Sequence, residues 1–231
     1  MAEEFLKNPV FGITLTLGAY FIGSLIRNYT KSYLANPILV ACIIIIAILV
    51  PSKIPYQSYN EGAKYISFLL GPATVALAVP LYKNFKLVKS NKTAILSGIF
   101  CGSITGILSA SLIVVVMGAD KKIAVSMAPK SVTSPIAMEI SRILGGYPSL
   151  TAAVVIITGI IGAMIGPEIL KYAGVKNKIA VGVAIGTASH GIGTTRAMQE
   201  GEEQGAMSSL AIGVAGIITA LLAPIIIRLI L

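Results

Sequence analysis

KIAVGVAIGTASHGIGTT, residues Lys178 to Thr195, is the stretch on which the fold turns. It is apolar enough to lie in hydrocarbon, yet Gly186, Gly191 and Gly193 loosen its backbone, and Thr187, Ser189, Thr194 and Thr195 put hydroxyls along it. The chain's single histidine, His190, sits in its middle. Ala63 to Leu81 is interrupted in the same manner by Gly71, Pro72 and Thr74. Irregular backbone is tolerated at membrane depth only where protein or a cavity receives it, so these interruptions carry the functional information.

Around them lie plainer apolar runs: Val10 to Ile26, Ala35 to Val50, Thr93 to Gly118, Leu150 to Ile165 and Ser208 to Leu231. A hydrocarbon layer of about 30 Å asks for about 20 largely apolar residues, which these runs meet or approach. Of the 231 residues, 55% are hydrophobic and 12% charged, more apolar surface than a soluble core can hide. The expectation is an all-α polytopic membrane protein. A formal charge of +9 would suggest nucleic acid in a soluble domain, but here the basic residues fall in short loops between apolar runs, as membrane topology requires. The first run follows Glu3 and Glu4, has no basic segment before it and lacks a small-residue cleavage site, so it reads as mature structure. Cys42 and Cys101 lie inside apolar runs as small hydrophobes, which implies neither a disulfide nor a metal.

The two interrupted stretches are related. Gly71-Pro72-Ala73-Thr74 and Gly186-Thr187-Ala188-Ser189 stand 115 residues apart, and that offset also lays Ala35 to Val50 on Leu150 to Ile165 and Thr93 to Val116 on Ser208 to Leu231. Two repeats of about 115 residues follow, 1–118 and 119–231. Basic loops fall at opposite places in them, Lys83 to Lys92 after the third element of the first and Lys171 to Lys178 after the second element of the second, which favours inversion. Inversion needs one element that enters and leaves by the same face. Val125 to Ser141 suits it, because Pro129 and Pro135 bracket Lys130, Ser131, Thr133 and Ser134. This topology puts Arg27, Lys31, both basic loops and Arg228 in the cytoplasm, with Glu168 as the only acid there.

Three motifs, in this order, resemble the LrgB/CidB family: Gly71-Pro72-Ala73-Thr74 running on to Pro80-Leu81-Tyr82, Ser134-Pro135-Ile136-Ala137-Met138-Glu139 leading to Gly145-Gly146, and Gly186 to Ala197. The resemblance covers almost the whole chain. It implies one of two roles: a carrier of small carboxylates such as glycolate, glycerate or pyruvate, or a regulator of murein hydrolases working with a small holin-like partner of the LrgA/CidA type. It places the chain in the cell inner membrane. A homodimer is expected by analogy with carriers that have a fixed scaffold.

The residues themselves favour a carrier. A helix broken at mid-membrane leaves unpartnered N–H groups whose dipoles attract an anion. Pro72, Ala73 and Thr74 in one stretch, and Gly186, Thr187, Ser189, His190, Gly191, Thr194 and Thr195 in the other, are the candidates for holding a carboxylate. The competing reading is that small residues merely let helices pack closely. Arg196 could hold a carboxylate bidentately or pair with Glu200, Glu202 or Glu203. His190 could relay a proton or be a hydrogen-bonded packing residue. Lys130, Ser131, Thr133, Ser134 and Glu139 form a second polar cluster suited to a coupling ion, unless Glu139 is instead paired with Arg142 at the surface. No enzyme constellation, metal-ligand cluster or phosphate loop is present, so neither catalysis nor a cofactor is expected.

Overall fold

The computed structural model describes residues 8–31, 35–76 and 78–230, except for the side chains of Leu70, Thr74 and Leu81. Among the described residues there are helices and no strands. Two compact units are formed, Met1–Ala76 and Leu77–Leu231. Among the described residues, five helical runs are long and apolar enough to cross a membrane: Pro9–Thr30, Tyr56–Pro80, Lys92–Val116, Pro148–Tyr172 and Glu202–Ile230. Together they make the chain a multi-pass membrane protein.

In the first unit, α1 (Pro9–Thr30) begins on a built start signal, with Asn8 accepting from the Val10 N–H and proline at the first turn. Asn36 and Pro37 open α2 (Pro37–Leu49) in the same way. At 13 residues α2 spans roughly 20 Å, short of a full crossing. Then come α3 (Tyr56–Phe68) and α4 (Leu70–Ala76). Gly12 of α1 lies directly on the backbone of Tyr59 and Gly62, and Thr16 Oγ1 is 2.9 Å from the Tyr59 hydroxyl. The break expected at Gly71-Pro72 is not there: both residues lie inside α4, and only Leu69, itself in the helical region at φ −67°, ψ −12°, separates α4 from α3.

The second unit contains α5 (Ala78–Lys83), α6 (Phe85–Ser90), α7 (Lys92–Val116), α8 (Lys121–Met127), α9 (Ser134–Ile143), α10 (Pro148–Tyr172), α11 (Lys178–Glu200) and α12 (Glu202–Ile230). Its direction of travel can be followed through close contacts. Gly98 and Gly102 of α7 face Val183 and Thr187, while Gly182 and Gly186 meet Gln204 and Ser208 of α12. Residue numbers rise together in both pairings, so α7, the first arm of α11 (178–189) and α12 run parallel.

The second arm of α11 (191–200) runs back. His190 takes φ 42°, ψ −140°, which no helix contains. A Cβ at Gly193 would lie 3.1 Å from Ile185 Cγ2, a closeness possible only if the arms fold against each other. Arg196 reaches Glu168 and Glu200, and Met198 touches Gly205. The element expected to cross as one broken helix is therefore a hairpin that returns to the face it left. Its two ends, with Lys83–Glu202 at 3.8 Å and Lys178–Glu203 at 3.6 Å, lie at one lysine-rich end of the unit.

From the opposite end a second hairpin enters. α8 and α9, of 7 and 10 residues, are each too short to cross and are separated by the non-helical residues 128–133. Ser126 fastens it, its Oγ accepting from the Tyr147 N–H at 2.7 Å and its carbonyl accepting from Thr151 Oγ1 at 2.9 Å.

Two expectations are corrected here. α7 and α12, superposed by the 115-residue offset, run in the same direction, so that pair is not inverted. Arg228, near the far end of α12, lies at the opposite end from Lys178, whereas Glu200, Glu202 and Glu203 join the lysine-rich end. An inverted pair does exist at about half that period: a hairpin followed by a crossing helix, 121–172, and the same arrangement entering from the other side, 178–230. Asp120 and Asn177 cap the first arm of each, accepting from Ile123 N and Ala180 N.

Candidate functional site

Both hairpins end halfway along the long helices. His190, at the tip of α11, lies against Gly159 in the middle of α10, and Ser189 fills the space left by Gly162. Ser131, at the other tip, lies beside Gly106 in the middle of α7. Two grooves converge on this level. One, of about 670 Å³, runs between α7 and the first arm of α11, from Asn91 and Asn177 to Thr105, Thr187, Lys130 and Ser131. The other, of about 450 Å³, runs between α10 and the same arm, past Ile165 and Ile161 to Thr158, Ser189 and Lys130.

The polar groups are held by hydrogen bonds within each arm and to the neighbouring helices. His190 is buried, and its Nε2–H donates to the Val155 carbonyl at 2.8 Å. Thr194 Oγ1 donates to the His190 carbonyl at 2.9 Å and shares a hydrogen bond with Ser208 Oγ at 2.7 Å. Thr187 Oγ1 donates to the Val183 carbonyl at 2.7 Å. At the other tip, Lys130 Nζ donates to Ser131 Oγ at 3.0 Å. Thr133 caps α9 without a side-chain bond to its first turn. α9 and the second arm of α11 both begin at the shared level of the tips and run away from it, leaving the positive N-terminal ends of their dipoles at that level.

Of the residues singled out in the sequence, Thr187, Ser189, Lys130 and Ser131 come together on the grooves. His190, Gly186, Gly191 and Thr194 build the tip and its support. Thr133 and Ser134 continue the first tip into α9. Thr195 is exposed and bonds to the Ile192 carbonyl at 2.8 Å. Arg196 is engaged elsewhere: only 9% of its side chain is exposed, Nη2 is 2.6 Å from Glu200 Oε1, and it sits toward the lysine-rich end. Of its two readings, the geometry shows the ion pair. Glu139 lies on the surface in a two-bond pair with Arg142, at 3.0 and 2.6 Å. Gly71, Pro72 and Ala73 are exposed in the first unit, and the Thr74 side chain lies outside the described residues.

Gly159 and Gly162 do not stand out in the sequence, because they lie in Leu150 to Ile165, a run that reads as a plain span. A side chain at either would collide with the α11 tip. Their spacing of three residues was the available signal, since it puts both on one helix face. Gly102 of α7, against the Thr187 methyl, is inconspicuous for the same reason.

No solved structure matches this chain. It is 38% identical over 216 residues to an uncharacterized protein of Haemophilus influenzae, covering 94% of each chain. It is also 38% identical, over 217 residues and again 94% of each chain, to antiholin-like proteins LrgB of Bacillus cereus and Bacillus anthracis. The profile of the LrgB-like family matches residues 16–229, and on this breadth of agreement the chain belongs to that family.

Proposed function

We propose that the protein is a secondary transporter of small monocarboxylates, of the glycolate, glycerate or pyruvate kind, working by alternating access in the cell inner membrane. The observation that carries this reading is the meeting of two hairpin tips that enter the second unit from opposite ends. Discontinuous elements with their ends at mid-depth provide helix dipoles for an anion without a continuous pore. The lysine-rich end then faces the cytoplasm. A homodimer, and a small partner of the LrgA/CidA type, complete the proposal.

The name carried by the Bacillus relatives favours a second reading, a regulator of murein hydrolases that moves no solute. Purified protein in liposomes separates the two. Transport predicts saturable uptake of radiolabelled pyruvate or glycolate with no release of a large entrapped dye, because a closed-site carrier has no open pore. Absence of uptake for every small monocarboxylate, with or without the small partner, would favour the regulator. Dye release at the rate of carboxylate flux would favour a holin-like pore.

A further inference from the structure

We propose that Lys130 is the carboxylate anchor of this site and the residue that restricts it to substrates with a single carboxylate. The inference rests on the transport reading and deepens it. Lys130 lies on the non-helical tip between α8 and α9, half-buried, and lines the inner end of both grooves. It is the only charged residue lining either groove among the described residues. At the lysine-rich end three cations are paired with carboxylates, Lys83 with Glu202, Lys178 with Glu203 and Arg196 with Glu200. Among the described residues no carboxylate pairs with Lys130, whose bond is to the neutral Ser131 hydroxyl.

An ammonium at membrane depth without a counter-charge is costly, and an incoming carboxylate removes that cost. One ammonium balances one carboxylate. A second carboxylate on the same substrate would enter a groove whose remaining lining is neutral and would meet nothing to offset its lost hydration. Thr105, Thr187 and Ser131 can still serve a hydroxyl or keto group next to the bound carboxylate.

The test is binding of radiolabelled pyruvate to the full-length protein in detergent, with competition by glycolate and by malonate. Glycolate should compete strongly, and malonate about 100-fold more weakly or not at all. Lys130→Gln should weaken pyruvate binding by about 10-fold to 150-fold, the range for losing a hydrogen bond to a charged group. Lys130→Arg, which keeps the charge, should recover most of it. Both variants should elute as wild type. If Lys130→Gln does not fold, the malonate comparison on the wild type decides. Wild-type affinity in Lys130→Gln, or malonate competing as well as glycolate, overturns the anchor while pyruvate uptake in liposomes still stands. Failure of the wild type both to bind and to carry any monocarboxylate overturns the transport reading and the anchor together.

Discussion

Between α8 and α9 the chain leaves the helix over residues 128–133, next to Pro129 and Pro135, whereas in α11 it reverses at His190 with no proline within ten residues on either side. The first turn is produced by its own residues: proline removes a donor and blocks the preceding helical geometry. The second is produced by its neighbours. Gly159, Gly162 and Gly193 leave the room that the tip fills, and the freed His190 carbonyl is taken up by Thr194. A hinge of the first kind can be located from a short window of sequence. One of the second kind is spread over helices thirty residues away.

The most decisive way to break this comparison is topological. With Cys42 and Cys101 replaced by Ser, single cysteines at Lys176 and Gln199 should react with an impermeant reagent from the same side, and one at Lys121 from the other. A straight α11 would put Gln199 with Lys121 instead, so labelling is all-or-none. Next in size is the difference between the glycines facing each tip. Gly162→Val drives a side chain into Ser189 and should cost about 3 kcal/mol, the upper part of the range for overpacking. Gly106→Ala, whose Cβ would lie 3.7 Å from Ser131 Oγ in ordinary contact, should change stability by less than about 1 kcal/mol. Thermal unfolding in detergent measures both.

The smallest effect separates backbone from side chain at the second tip. His190→Ala and His190→Gly both lose the bond to Val155, but only alanine keeps a Cβ at φ 42°. The glycine variant should therefore be more stable than the alanine variant by about 1 to 2 kcal/mol. Equal stability would mean that His190 does not hold the reversal.

What was legible follows from the same distinction. The long spans were visible because hydrocarbon thickness imposes a length that no other fold element needs. The α8–α9 hairpin was visible through its two prolines. The importance of 186–195 was visible as composition, but its direction was not, since the same glycines and hydroxyls suit a kinked crossing and a reversal equally. Reading α11 as a crossing turns α12 around and makes the 115-residue offset look like inversion. Arg196 was ambiguous for another reason. Its partner Glu200 is four residues away and visible, but Glu168 becomes a neighbour only after α11 folds back.

The wider groove carries one electrical consequence. It opens near Asn91 and Asn177 at the lysine-rich end and runs inward to Lys130. Water filling it would bring the potential of that compartment to the tips, so nearly all of a membrane voltage would fall across the remaining half of the unit. A carboxylate arriving at Lys130 from the lysine-rich side would then cross little of the field. The full 2.3 kcal/mol or so per charge at 100 mV would act only on the step that carries an uncompensated charge past the two tips.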